Sequence, residues 1–392
     1  MLKRAAIYDP YLDTLGGGER YCLTVAEVLL KNNYQVDLYW SGDKTLVQKA
    51  EDRFSLNLSD LNIVPDIYNL KPQNLDLIEE NENFSHSVST LIKYQKINFK
   101  FKNFYQKILN NRHYDVIFYL SDGSLPFLFG KKNLLHIQVP LVKLDNKINQ
   151  IFNNIKNKFY SNIICNSQFT ARFQKNYSKN KVLVLYPPVD IDKFDSHQPK
   201  ENIILSVGRF DNILNAKKQD VLIDAFRSLI VREKIDNWKL VLMGGSLSDP
   251  KNNSYLKYLE KKALNLPIEF IVNPPFNILK EKYSQSKIYW HAAGFDVDEN
   301  NHPENTEHFG ITVVEAMASG LVPVVISKGG IPEIVDNGVN GFLWQTTDEL
   351  ISKTKNLIEN PDTLKLMSQQ SLLNCQQFSK SNFEKKLLSI IS

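Results

Sequence analysis

The sequence predicts an α/β protein made of two Rossmann-like domains. Three observations carry this. Strand-like and helix-like stretches alternate along most of the chain, as in parallel sheets joined by crossover helices. The alternation restarts after Tyr186-Pro187-Pro188-Val189-Asp190. Each half also opens with a strand followed by a glycine-bearing loop. At 392 residues, the chain is long enough for about two or three ordinary domains.

In the first half, strands are expected over 4–10, 35–40, 115–120, 134–139, 162–165 and 182–186, with a turn over 15–18 and a helix over about 19–31. The stretch from about 54 to 83 is polar and irregular, and its sequence orders no elements. The adjacent prolines Pro187 and Pro188 each lock φ and lack an N–H, so they end a strand and mark a boundary. The second half reads as strands over 202–207, 239–243, 269–272, 288–292 and 323–326. Helices are expected over 217–231, about 255–264, 279–286, 312–318 and 332–335, followed by a mostly helical last 45 or so residues. The domains expected are 1–190 and 191–375, followed by a C-terminal helix over 376–392. In such architectures ligands bind at the carboxyl ends of the strands.

Composition narrows the functional classes. With 43% hydrophobic and 23% charged residues, the chain is globular rather than disordered. It has no run of 18 apolar residues, so no spanning helix is expected. Asp9 falls within the first ten residues, which reads as a first strand rather than a secretory leader. Cys22, Cys165 and Cys375 lie far apart with no C-x-x-C pair, which argues against a disulfide framework or zinc site and for a reducing, cytoplasmic setting. A net charge of +4 is too small to imply nucleic acid. Charge is concentrated in 91–112, where Lys93, Lys96, Lys100, Lys102 and Lys107 interleave with Phe99, Phe101, Phe104 and Tyr105. Such a basic amphipathic surface suits an anionic membrane, but the more ordinary use is a solvated helix face whose aromatics point into the core.

The chemistry-bearing motifs lie in loops at predicted strand ends. Glu307 and Glu315 stand eight positions apart around Phe309-Gly310, with a helix starting beneath the second. A helix start offers amides and partial positive charge to an anion, and carboxylates accept hydrogen bonds from hydroxyls. Together they suit a nucleotide-activated sugar. Thr312 and Glu315 also fit a capping box, an ordinary structural use. Arg209, after Gly208, and Lys217, at the next helix, could clamp a diphosphate, although the adjacent Lys218 cannot be distinguished by spacing. Gly16-Gly17-Gly18 permits a tight turn and close approach to an anion, but matches neither G-x-G-x-x-G nor a Walker A loop. Gly329-Gly330 could offer amides to a ligand, with Pro332 and Glu333 starting a helix. His136, near the end of a strand, could meet a sugar hydroxyl, as Asp122-Gly123 could from the preceding strand. Asp190–Asp192 and Asp296–Asp298 read as solvated loop acids rather than a metal pair.

Taken in order, these residues resemble the family 4 retaining glycosyltransferases of the GT-B fold. The matches are Glu307 to Glu315, Val207-Gly208-Arg209-Phe210 with Lys217, Gly16–Gly18, Asn166-Ser167, and Gly329-Gly330-Ile331-Pro332-Glu333. The resemblance implies two Rossmann-like domains with a deep cleft between them, the first on the acceptor side and the second binding the nucleotide sugar, with the C-terminal helix packing back on the first. It implies Arg209 and Lys217 on a diphosphate and Glu315 on the ribose. Glu307 and the backbone of Phe309, Gly310 and Ile311 would hold the donor sugar, and Thr312 would add a first-turn amide. Gly17 and Gly18 would face phosphate or acceptor, and His136 would reach the sugar. It further implies a retaining, metal-independent hexosyltransferase with no cofactor beyond its nucleoside-diphosphate sugar donor. The acceptor would be a glycan or a polyprenol-linked glycan of surface polysaccharide assembly, with the enzyme peripheral on the inner membrane face. His308, where many members carry a small residue, and the polar insert 296–305 depart from the pattern. The competing readings are a sugar-nucleotide epimerase or other nucleotide-cofactor enzyme, against which the missing G-x-G-x-x-G weighs, and a non-catalytic sugar-nucleotide or glycan-binding protein.

Overall fold

The computed structural model of the chain describes residues 2–66, 108–109, 111–121, 123–140, 153–174, 181–212, 216–246 and 253–392. Asp122 and nearly all of the basic 91–112 segment lie outside the described residues.

The first sheet has seven strands: β1 (Lys3–Tyr8), β2 (Tyr34–Tyr39), β3 (Asn62–Val64), β4 (Val116–Ser121), β5 (Lys132–Ile137), β6 (Asn162–Cys165) and β7 (Val182–Val184), in the order β3-β2-β1-β4-β5-β6-β7. β1 pairs in parallel with both β2 and β4. Its central position explains its residues: Ala5, Ala6, Ile7 and Tyr8 are all buried, the continuous apolar run of a strand covered on both faces. Helices α1 (Gly17–Lys31), α2 (Thr45–Phe54) and α3 (Gln168–Arg172) accompany this sheet.

The second sheet has six strands: β8 (Ile203–Val207), β9 (Lys239–Gly244), β10 (Ile268–Val272), β11 (Ile288–His291), β12 (Val322–Ile326) and β13 (Phe342–Trp344), in the order β10-β9-β8-β11-β12-β13. All five of its pairings are parallel. The order turns outward in both directions from β8, which is a topological switch point. Alternate residues feed two cores. Ile204, Leu240, Leu242, Ile288, Trp290, Val322 and Val324 face one apolar cluster. Leu205, Val241, Met243, Tyr289 and Val325 face the other. Helices α4 (Gln219–Val231), α5 (Ser254–Lys262), α8 (Thr347–Glu359) and α9 (Pro361–Asn374) supply the first cluster. Helices α6 (Phe276–Gln285) and α7 (Ile311–Ala318) supply the second. The chain ends in α10 (Lys380–Ile391).

By its internal contacts the chain forms two compact units. One comprises Met1–His136, Asp145–Ile163 and Ile391; the other comprises Ile137–Leu144, Ile164–Ile390 and Ser392. The two-sheet, parallel α/β architecture expected from the alternation is present. Four short elements, α2, β3, α3 and β13, were not expected. The expected helix over 332–335 is a single 3-10 turn, Ile331–Glu333. Asn340 stops it: its Oδ1 accepts the Asp336 amide at 2.8 Å and its Nδ2 donates to the Ile334 carbonyl at 3.3 Å. No described helix is long and apolar enough to cross a membrane.

Candidate functional site

The site begins where β8 ends. Gly208 donates to the Met243 carbonyl at 2.9 Å and Phe210 to the Gly245 carbonyl at 2.8 Å, so the β8 turn is zipped to the end of β9. Gln219 Nε2 holds the Arg209 carbonyl at 2.9 Å. A side chain at Gly208 would collide with the stem of Lys217, and one at Gly244 with the Gly208 carbonyl. Glycine is therefore required for the Lys217 side chain to lie across the turn. Lys218 has φ +55°, and the chain turns there. Lys217 reaches Glu307, with Nζ 2.6 Å from Oε2, while Lys218 lines a separate recess with Asp220, Tyr255 and Tyr258. Arg209 is half-exposed and pairs with Asp211 at 3.4 Å.

Glu307 has a second partner that sequence reasoning missed. His291, at the carboxyl end of β11, brings Nε2 to 3.3 Å from the same Oε2. Burial alone would push the Glu307 carboxyl upward. The Lys217 charge and the hydrogen bonds from His291 and Lys217 outweigh it and hold the group well below its ordinary range. His291 is 4% exposed. Burial holds it below the ordinary histidine range against the opposing pull of Glu307. His308 is lowered for the same reason. The site is thus a partly buried lysine–carboxylate pair beside a buried imidazole held toward its neutral form. A histidine closing a strand two loops before an acid was the available signal, but the contact depends on the β8-β11-β12 order.

Gly310, at φ +112°, is the N-cap of α7, and the helix starts at Ile311. The capping box of Thr312 and Glu315 is therefore corrected: Thr312 already lies in the helix, one residue beyond Ile311. Glu315, 7% exposed, instead faces Tyr283, whose hydroxyl lies 3.2 Å from Glu315 Oε2 and 3.2 Å from the Thr312 carbonyl. Phe309 is buried against Tyr186 and Phe378, so its side chain belongs to the core.

Gly329 and Gly330 are also corrected. Their amides are already engaged: Gly329 donates to Glu299 Oε2 at 2.8 Å and Gly330 to the Glu307 carbonyl at 2.8 Å. A side chain at either would strike the backbone of Glu307 or His308. The glycine pair is a floor under Glu307, and the insert 296–305 is tied to it. Glu299 bonds Gly329 and Arg172 (2.8 Å), and Lys328 Nζ donates to the Val297 carbonyl at 3.0 Å. Glu333 does not serve its own turn. Its two oxygens accept the Gln168 and Phe169 amides, each at 2.7 Å, and so cap α3. Asp192, Asp296 and Asp298 are exposed, and Asp190 pairs with Lys193 at 3.1 Å.

In the first unit, Gly17 and Gly18 open α1, where first-turn amides have no intrahelical acceptor. Glu19, also missed, is 4% exposed and accepts from Gly16 N at 2.5 Å and Thr14 Oγ1 at 2.7 Å. Burial raises its carboxyl above the ordinary range, although these hydrogen bonds oppose the rise. His136 is fully buried and stacks on Tyr21 at 4.1 Å. Arg209, Lys217, Glu307, Phe309, Gly310, Ile311, Thr312 and Glu315 all belong to the second unit, whereas Gly17, Gly18 and His136 belong to the first.

Two parallel-sheet, Rossmann-like α/β units with this strand-end cluster define a protein of the GT-B fold. Solved structures share it: a glycosyltransferase from Rickettsia africae (TM-score 0.73, 18% identity, 100% of this chain and 98% of that one) and Anabaena Alr3699/HepE in complex with UDP (TM-score 0.68, 17% identity, 99% of each). Residues 189–372 match the family described as glycosyl transferases group 1. A GDP-Man:Man(3)GlcNAc(2)-PP-Dol alpha-1,2-mannosyltransferase of Xenopus laevis is 29% identical over 228 residues, which are 54% of this chain and 43% of that one. The chain spans about half the length of the first curated relatives it matches.

Proposed function

We propose that the protein transfers a sugar from a nucleoside-diphosphate sugar to a hydroxyl of a glycan or lipid-linked glycan, with retention at the anomeric carbon and without a metal. The observation that carries this reading is the Lys217–Glu307 pair at 2.6 Å, set beside Arg209 and the start of α7. Cations at the end of β8 can stabilise charge building on a leaving diphosphate, usually the largest catalytic contribution. Glu315, buried beside a tyrosine hydroxyl that already bonds it, has the chemistry to take ribose hydroxyls. Glu307 and the Phe309–Ile311 backbone would hold the sugar. Retention would follow from same-face attack, with the donor phosphate accepting the acceptor proton. On this reading the first unit, through Gly17 and Gly18, serves the phosphate or the acceptor, and the basic 91–112 segment brings the enzyme to an anionic cytoplasmic membrane face.

The Xenopus relative is named for GDP-mannose and a dolichol-linked acceptor, and the Anabaena neighbour was solved with UDP. Donor screening therefore starts from GDP, UDP, GDP-mannose and UDP-glucose, with ADP, TDP and CMP conjugates beside them and no metal added. In a thermal-shift screen, one nucleoside diphosphate is expected to stabilise the protein, with the shift lost in Arg209→Ala and Glu315→Ala. Stabilisation by NAD(P) or a free glycan, with none by any nucleotide sugar, would replace this reading with an oxidoreductase, epimerase or binding role.

A further inference from the structure

Both partners of Glu307 meet the same oxygen. Lys217 Nζ and His291 Nε2 lie 2.6 and 3.3 Å from Oε2, and Oε1 has no protein partner among the described residues. The Glu307 side chain keeps 17% exposure, so the unpartnered oxygen belongs to a carboxylate that a ligand can reach. A lysine alone would hold it loosely, because an ammonium on a flexible stem fixes a point and not a plane. The imidazole on β11 adds a rigid second donor. Only Nε2–H can serve, since an ionised carboxylate oxygen accepts and does not donate. The other ring nitrogen, Nδ1, is buried with no hydrogen-bond partner. As a bare acceptor it is tolerable there, whereas as a second N–H it would be a buried, unsatisfied donor. The surroundings therefore select one neutral tautomer.

We propose that His291 is a positioning residue of the donor-sugar site: by giving Nε2–H to Oε2 it locks the Glu307 carboxylate so that Oε1 accepts a hydrogen bond from a hydroxyl of the transferred sugar. This rests on the transferase reading and names a contact that reading leaves open. The carboxylate is presented by two protein donors from different elements, Lys217 just before α4 and His291 at the end of β11.

The test uses the full chain, His291→Ala and His291→Gln, each checked for an unchanged melting profile. Glutamine returns a donor near Nε2; alanine returns none. For the sugar nucleotide that the wild type turns over, UDP-glucose or GDP-mannose, His291→Ala is expected to lose roughly 10- to 100-fold in kcat/KM, while UDP or GDP binds as in the wild type. His291→Gln should recover most of the loss. An unchanged kcat/KM in His291→Ala, or equal losses for nucleotide and sugar nucleotide in both variants, would overturn the proposal. A second measurement does not depend on turnover. Long-range 15N NMR of histidine-labelled protein at pH 7 should show the neutral Nε2–H tautomer at His291, and an Nδ1–H tautomer or an imidazolium would overturn the bond. A wild type that turns over neither donor would remove the sugar contact together with the transferase reading, and the NMR result would still decide the His291–Glu307 bond.

Discussion

On the proposed function Glu307 answers two demands, because its charge neutralises Lys217 and would also accept sugar hydroxyls. Replacing it by glutamine separates them. Glu307→Gln keeps the shape and one acceptor oxygen but releases Lys217 as an uncompensated cation beside the proposed diphosphate. Turnover of the sugar nucleotide should fall by about 100-fold or more, while affinity for the bare nucleoside diphosphate holds or rises. Steady-state kinetics and calorimetric titration check the two halves, and weaker diphosphate binding would place Glu307 outside the site. The same residues set a pH dependence. His291 and His308 are held below their ordinary 6.5 by burial, so the unfolded chain binds more protons than the folded one in the window just below pH 6.5. Their contribution to stability is complete above that value and is lost as pH falls toward the folded values. Glu307, lowered below its ordinary 4.5 by Lys217 and His291, contributes fully above 4.5 and loses its share only in stronger acid. Stability in urea should therefore weaken as pH falls below 6.5, and His291→Gln should flatten part of that slope. A slope unchanged in the variant would mean that other groups carry it. None of these pairings was legible in the sequence. Lys217 and Glu307 were separately visible as a cation and an acid at strand ends, but they stand 90 positions apart. His291 carried no motif at all.

Elements were easier to read, because parallel strands covered on both faces advertise themselves as apolar runs and the crossover helices as amphipathic ones. β8, β9, β11 and β12 fall within a residue or so of their expected bounds for this reason. Misses fell on short elements such as β3 and β13, and on loops, where the physics is in backbone contact rather than periodicity. Gly329 and Gly330 illustrate it. The sequence shows glycines before a helix, which suggests amides offered to a ligand, whereas the structure spends those amides on Glu299 and Glu307. This predicts a graded response to alanine. Gly338 has φ +84° and open space around it, so Gly338→Ala should cost only backbone strain, about 1 kcal/mol. Gly329, at φ +63°, adds a collision with the Glu307 carbonyl, which is backbone and cannot swing aside. Gly329→Ala should destabilise by roughly 2–3 kcal/mol and displace Glu307, so turnover should drop beyond what the loss of folded protein explains. Equal stability losses in the two variants would show that the Glu307 loop yields without cost.

For the whole molecule, the open question is what would bring it to the lipid-linked acceptor proposed for it. No described helix is long and apolar enough to cross a membrane, and the net charge of +4 is too small for strong attraction if evenly spread. It is not evenly spread. Five lysines fall within 93–107 among five aromatic residues, a density at which each cation near an anionic surface contributes about 1 kcal/mol and the aromatics can add interfacial burial. A contribution of several such cations is enough for reversible attachment. It should fade with salt, because the Debye length shortens from about 30 Å at 0.01 M to about 8 Å at 0.15 M. The full chain should therefore co-sediment with vesicles containing phosphatidylserine at low salt, detach as salt rises, and ignore purely phosphatidylcholine vesicles. Replacing Lys93, Lys96, Lys100, Lys102 and Lys107 by glutamine should abolish sedimentation without altering turnover of a water-soluble acceptor, because none of the five belongs to the Lys217–Glu307–His291 cluster. Binding that survives the five substitutions would place the membrane contact elsewhere on the protein, and binding to neutral vesicles alone would make it apolar rather than electrostatic.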